Sequence, residues 1–227
     1  MGQLATLYGM FRKVVLMAVS VSLASAQPAV VDIPNAPVPM QILAQSPAET
    51  TTDLQVICLF RSSPVNTLHG SLIETNEKLK GLLDRVRKPD LFRGELGETL
   101  LIAPPKGSFG AKRLLIIGLG DSQTFSPQRM QLVGEILYTE ASRLGVAHPF
   151  FAPTILDGGI TTFTTQPIAE QVTLGFLRAA AIDKVLRAAN ASAGQTITTL
   201  TYLAGPKNVS NTREGIEKAI AEATSGK

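Results

Sequence analysis

The sequence predicts an α/β fold, a three-layer sandwich with helices on both faces of a central sheet. Two observations carry this. Short, almost wholly apolar runs, at residues 54–60 and 113–117, read as strands buried on both faces. Between such runs lie stretches with helical spacing, an apolar stripe on one side and charges on the other. Strands alternating with helices give a sheet covered by helices. With 227 residues, 44% hydrophobic and 17% charged, the chain can fill one core of that kind. No internal repeat is visible.

The elements follow in order. Residues 1–26 carry a basic pair, Arg12 and Lys13, then an apolar run over 14–23, then Ala24-Ser25-Ala26. This is the three-part pattern of a secretory signal cleaved after Ala26, and it implies a periplasmic or secreted protein. The run is short of the roughly 20 residues a spanning helix needs, so no stable membrane span is expected after cleavage. An uncleaved anchor is the alternative, and Met10 is a second possible start. Residues 27–39 hold Pro28, Pro34, Pro37 and Pro39 and read as an extended tether. The remainder, residues 40–227, is expected to form one domain.

Within it, residues 40–44 suit a short edge strand and 54–60 a buried one. Residues 72–86 follow helical spacing, with Leu72, Ile73, Leu79, Leu82, Leu83 and Val86 on one stripe. A strand over 97–103 is stopped by Pro104-Pro105, and a second central strand over 113–117 ends at Gly118. Ser126-Pro127 is a helix start, a Ser cap with proline at the first helical position. Met130, Val133, Leu137, Ala141 and Leu144 form the buried stripe of that helix, and Gly145 suits its C-terminal cap. A strand over 150–156 is closed by Asp157-Gly158-Gly159. A long helix follows over 167–189, with Ile168, Val172, Phe176, Leu177 and Ala180 inward. Residues 196–203 read as a last strand, and 211–223 as a polar helix burying Ile216 and Ile220.

Composition excludes several functions. The formal charge is +3, but Arg12 and Lys13 leave with the signal, and the near-neutral remainder gives no case for a nucleic-acid partner. One cysteine, Cys58, rules out an internal disulfide framework and a Cys-rich zinc site, and it tolerates an oxidising compartment. Mid-strand, it reads as a small core hydrophobe. Two histidines, His69 and His148, have no metal-ligand partner at helical spacing and leave little material for a hydrolytic triad. The absence of Trp argues against a stacking platform for single-stranded nucleic acid.

Phe92-Arg93-Gly94-Glu95-Leu96-Gly97-Glu98 leading into a strand, and then a strand ending in Gly118-Leu119-Gly120, resemble the N-terminal domain of the leucyl aminopeptidase family (peptidase family M17). Ile168-Ala169-Glu170-Gln171-Val172-Thr173-Leu174-Gly175-Phe176 is similar to that family's Ala-Glu-Gly-x-x-Leu-Gly-x-Tyr helix, with Gln171 and Phe176 replacing its glycine and tyrosine. The resemblance runs from about Asp53 onward. It implies a macro-domain-like mixed sheet flanked by helices. Family catalysis uses a separate C-terminal domain in which carboxylates and a lysine hold two metal ions. None of those residues can be carried onto this sequence. Asn211-Thr212-Arg213-Glu214-Gly215 echoes the family's metal signature, but it lacks the metal-binding aspartate and is too short. No catalytic residue, metal or cofactor is therefore expected.

Two loops are candidate ligand sites. Gly118, Gly120 and Ser122 follow a strand and precede a helix, where backbone amides can approach an anion. The third glycine of a dinucleotide fingerprint is missing, and a plain sharp turn is the favoured explanation of the glycines. Gly158, Gly159 and Thr161 open a second loop whose hydroxyls suit a phosphate or ribose; alternatively the loop caps the following helix through Thr165. The expectation is an exported, non-catalytic domain of aminopeptidase N-terminal type that binds a protein partner or assembles with itself. The alternative is a macro-domain-type binder or hydrolase of ADP-ribose-like or other phosphorylated ligands.

Overall fold

The computed structural model describes residues 28–62, 67–88 and 91–226; the expected signal, residues 1–26, lies outside them. Seven strands form one sheet: β1 (Val30–Ile33), β2 (Met40–Leu43), β3 (Gln55–Leu59), β4 (Thr99–Ile102), β5 (Leu114–Gly118), β6 (Phe150–Ala152) and β7 (Leu200–Leu203). Their order is β1-β2-β7-β6-β3-β5-β4. The central strands β2, β7, β6, β3 and β5 are parallel, and the outermost pairs are antiparallel. The sheet is mixed, as expected.

Alternation along the strands sends side chains to two cores. Val56, Cys58, Leu115 and Ile117 join one cluster with α3 (Met130–Arg143), α4 (Thr165–Ala188) and α5 (Val209–Thr224). Ile57, Leu59, Leu114 and Ile116 join the other with α1 (Gly70–Lys78) and α2 (Leu82–Val86). Three layers result, one helical layer much heavier than the other. Phe151, Phe176 and Tyr202 are fully buried in the heavier layer, each contributing about 2–3 kcal/mol. There α3 and α4 cross at Gly134 and Gly175. A Cβ on Gly134 would lie 2.1 Å from the Val172 carbonyl oxygen, and one on Gly175 would lie 1.9 Å from that of Gln131. The two backbones touch because both positions lack side chains. Among the described residues no helix is long and apolar enough to cross a membrane.

Several expectations need correction. Part of the expected tether is strand β1: Val30–Ile33 lies between Pro28 and Pro34, so no proline interrupts its pairing with β2. With β1 outside it, β2 is not an edge strand. The helix expected over 72–86 is two, because Lys80 and Gly81 take left-handed backbone (φ 55° and 74°). The Asn76 side chain then accepts from the Leu83 amide at 3.0 Å to start α2, and Ile73 turns outward. Strand β6 stops at Ala152, before Pro153 and the left-handed Thr154. Strand β7 begins only at Leu200. Ser126 makes no side-chain cap; a 3-10 turn over Pro127–Arg129 leads into α3.

Candidate functional site

Both candidate loops lie at the carboxyl ends of parallel strands, the edge of an α/β sheet where ligands dock. Their surroundings differ. At the first, residues 94–98 fold over the glycine turn. The Gly118 amide donates to the Glu98 carbonyl oxygen at 2.7 Å, the Gly120 amide to that of Gly94 at 2.8 Å, and the Leu119 amide to that of Leu59 at 2.9 Å. The Glu98 carboxylate accepts from the Glu95 amide at 2.9 Å, fixing the covering loop. A Cβ on Gly118 would lie 2.1 Å from the Glu95 carbonyl oxygen. The turn's amides are thus engaged by the chain itself. Ser122 sits half-buried in a 3-10 turn that Asp121 caps by accepting from the Gln123 amide at 2.9 Å.

At the second loop, Asp157 meets the start of α1. Its carbonyl oxygen accepts from the His69 amide at 2.9 Å, and its carboxylate accepts from the Ser71 hydroxyl at 2.5 Å. Gly158 lies against the Phe60 ring, Gly159 lies beside His69 with φ 89°, and Thr161 is exposed. Phe60, Phe125 and Phe163 stack edge to face at 5.2 and 6.0 Å between the two loops. The structure brings the loops to one sheet edge and keeps them apart with aromatic rings.

Beside the second loop a cavity of about 260 Å³ opens at the ends of β6 and β7. Its walls include Ala152, Ile155, Leu156, Phe163, Ile168 and Leu203, and its polar lining includes Ser46, Ser71, Asp157, Thr164, Thr165, Asn208 and Thr212. Thr154 closes the floor by bridging β6 to β3: its hydroxyl donates to the Cys58 carbonyl oxygen at 2.6 Å and accepts from the Cys58 amide at 3.0 Å. Thr212 donates to Thr165 at 3.0 Å and ties the starts of α4 and α5 together. None of Gly118, Gly120, Ser122, Gly158, Gly159 and Thr161 is among the residues lining this cavity. Asp157, Thr164 and Thr165 belong to the loop the sequence marked. Ser71, Asn208 and Thr212 come from other elements, and only the topology gathers them.

Among the described residues no three His, Cys, Asp or Glu side chains come together as a metal site would require. Cys58 is buried in the core, and burial pushes its thiol pKa up, away from reactivity. His148 lies 3.1 Å from the Thr198 hydroxyl, and His69 lies 3.1 Å from that of Thr67.

A second feature lies at the other end of α4. Helices α4 and α5 run side by side and in the same direction, joined at Thr165–Thr212 and Glu170–Lys218 (2.8 Å). Beyond Ala181 every residue of α4 is exposed except Asp183 and Arg187. Ile182, Val185 and Leu186 form one apolar face, 54, 69 and 42% exposed. On the adjoining face a groove of about 1040 Å³ is lined by Pro37, Val38, Leu177, Ala181 and Ile197, with Arg178, Lys184 and Glu222 at its margin. Asp183 anchors this end. It accepts from Tyr138 at 2.7 Å, Arg187 at 2.7 Å and Ser192 at 2.6 Å. Burial raises its pKa, but hydrogen bonds from Ser192, Tyr138 and Arg187 outweigh that and hold the carboxyl below the usual range.

Comparison with known proteins adds the relationship. The family model of the cytosol aminopeptidase family's N-terminal domain matches residues 56–181, more than half of the chain. A probable cytosol aminopeptidase of Burkholderia thailandensis is 42% identical over 60 residues, which is 26% of this chain and 12% of that protein. A Burkholderia mallei protein of the same description matches at the same identity and coverage. Among solved structures, a mutant of tomato leucine aminopeptidase superposes with a TM-score of 0.60 at 19% identity, over 88% of this chain and 39% of that one. An Oceanobacillus iheyensis macrodomain mutant gives 0.55 at 10% identity, over 86% and 99%. A Trypanosoma brucei macrodomain in complex with ADP gives 0.53 at 12% identity, over 78% and 68%. At these identities the structural likenesses establish the macro-domain-like fold alone. The chain spans well under half the length of the aminopeptidases it matches.

Proposed function

The chain belongs to the cytosol aminopeptidase family through its N-terminal domain, and from that premise we propose that it is an exported, non-catalytic module that works by assembling with a second copy of itself. The exposed face of Ile182, Val185 and Leu186 carries the reading. An apolar stripe left open at the end of a helix marks an interaction surface. The groove on the adjoining face of the same helix offers a seat for the same helix end of a second copy. A two-fold contact then seats each copy's helix end in the other's groove, the commonest symmetry of soluble oligomers.

The reading of a role without chemistry rests on the sequence, onto which none of the family's metal-binding or catalytic residues can be carried; the family model it matches is that of the N-terminal domain. Export rests on the sequence pattern of residues 1–26. The test is an assay of the purified chain with aminoacyl substrates and added zinc or manganese. No turnover is expected; metal-dependent release that a chelator abolishes would overturn the non-catalytic reading.

A second reading, a binder or hydrolase of ADP-ribose-like or other phosphorylated ligands, is favoured by the cavity's place at the strand ends of a macro-domain-like sheet. Two features count against it. The described residues lining the cavity include no Lys, Arg or His, and the amides of Gly118 and Gly120 are already bonded. Calorimetric titration with ADP-ribose distinguishes the readings, and no heat is expected.

A further inference from the structure

The two edges of the sheet are built differently. At the β1 edge the Ala44 amide donates to the Ala29 carbonyl oxygen at 2.9 Å, so alternation turns the main-chain groups of Pro28, Val30, Asp32 and Pro34 outward. Two of these four have no amide to offer, and Asp32 puts an exposed charge between them. Proline and charge are the devices that keep a strand edge unpaired.

The β4 edge has neither. There the Gly118 amide donates to the Glu98 carbonyl oxygen at 2.7 Å, so Glu98, Leu100 and Ile102 point their main-chain groups at β5. Thr99, Leu101 and Ala103 point theirs away from it, and β4 is the last strand in the order. All three are exposed, and Pro104 and Pro105 close the ladder just beyond them. Leu101 pairs with Leu115 and shares its face, on the side of the heavier helical layer, with 45% of its surface in water. Leu132 of α3, 39% exposed, lies over Gly97 where the chain enters the strand, and the neighbouring Leu96 is 41% exposed. An apolar row thus runs along main-chain donors and acceptors that face solvent.

The ends of this edge carry opposite charges. At its start, the Glu98 carboxylate accepts from the Arg93 and Glu95 amides. Past its end, Lys106 is exposed. Neither joins an ion pair among the described residues, whereas Glu95 is already taken by Arg61.

We propose that β4 is a site of strand addition, taking an extended segment of a partner protein antiparallel to itself. The segment enters with an acidic residue beside Lys106 and leaves with a basic residue beside Glu98. Between them it sets apolar β-branched residues opposite Ala103, Leu101 and Thr99, where they cover the open face of Leu101. The inference goes beyond assembly through the far end of α4 and stands independently of it.

The test is calorimetric titration of the full chain with the capped peptide Glu-Val-Thr-Val-Thr-Val-Lys, whose three valines fall opposite Ala103, Leu101 and Thr99. Saturable binding is expected. N-methylation of the middle valine removes the amide that meets the Leu101 carbonyl oxygen and should weaken binding about tenfold. The peptide with its ends exchanged, Lys-Val-Thr-Val-Thr-Val-Glu, should bind about fivefold more weakly. Leu101→Pro removes an amide that faces solvent, not one that pairs with β5, and should weaken binding about tenfold. Lys106→Glu, at an exposed site, protects the test against a misfolded proline variant: it should weaken the first peptide about fivefold and strengthen the exchanged one. No binding at millimolar concentration, binding unchanged by N-methylation or in either variant, or equal binding of the exchanged peptide would each overturn the proposal. So would dimerisation that Leu101→Pro abolishes, which would assign the edge to a second copy.

Discussion

The two ends of α4 show how one helix divides its work. The first half is packed on both sides. Gly175 touches the backbone of α3, Glu170 pairs with Lys218 of α5, and Ile168 and Ala169 face the cavity. The last two turns run past the neighbouring helix with Ile182, Val185 and Leu186 in water, held by the hydrogen bonds around Asp183. Folding draws on the first half and on the hydrogen bonds of Asp183, whereas the face of Ile182, Val185 and Leu186 lies outside the core and open to a partner. Substitutions along one helix should therefore separate stability from association.

The largest effect is expected at the crossing. Gly175→Ala places a methyl group 1.9 Å from a carbonyl oxygen and must push α3 and α4 apart, costing about 3 kcal/mol in urea unfolding. A loss below roughly 0.5 kcal/mol would mean that the helices are not in backbone contact. Next comes Asp183→Asn, expected to cost about 2 kcal/mol at neutral pH because three donors lose a charged acceptor. The effect depends on pH. The native carboxyl titrates below its unfolded value of about 3.9, so its contribution is complete above that value and is lost as pH falls through the native one. Wild type and Asp183→Asn should therefore converge in stability below about pH 4, and a constant gap down to pH 3 would contradict the network.

A smaller gain, about 0.5 kcal/mol, is expected for Thr164→Asp, which caps α4 at the packed end. Thermal unfolding without ligand checks it. The smallest change in stability belongs to Ile182→Glu with Val185→Glu, within about 0.5 kcal/mol of wild type despite two charges. A large loss there would show that this face is part of the core after all.

The sequence carried much of the fold because its signals were local. Almost wholly apolar runs marked β3 and β5, and the stripes of α3 and α5 matched their buried faces. In the sequence the Phe92–Glu98 motif and the Gly118–Gly120 turn are two separate signs of relationship. In the structure they are one unit, Gly94 and Glu98 accepting the hydrogen bonds of the turn's amides. A glycine-rich turn after a strand looks the same whether it is open to an anion or covered by chain. Which it is depends on residues some twenty positions upstream.

Other features escaped for physical reasons. The break between α1 and α2 needs left-handed backbone at Lys80 and Gly81, and helical spacing continues across it undisturbed. Strand β1 hides among prolines because an edge strand needs only four uninterrupted residues. The cavity draws Ser71, Asp157, Thr165 and Thr212 from four segments that only the strand order brings together. The open face at the end of α4 follows helical spacing like any buried stripe, and nothing local reveals that its neighbouring helix stops first.

Sedimentation velocity over a concentration series, wild type beside Ile182→Glu/Val185→Glu, tests the assembly claim most directly. A shift of the wild type toward twice the monomer mass, with the variant monomeric throughout and equally stable, is the expected result. A wild type that stays monomeric at every concentration, or a variant that dimerises as readily, would contradict it.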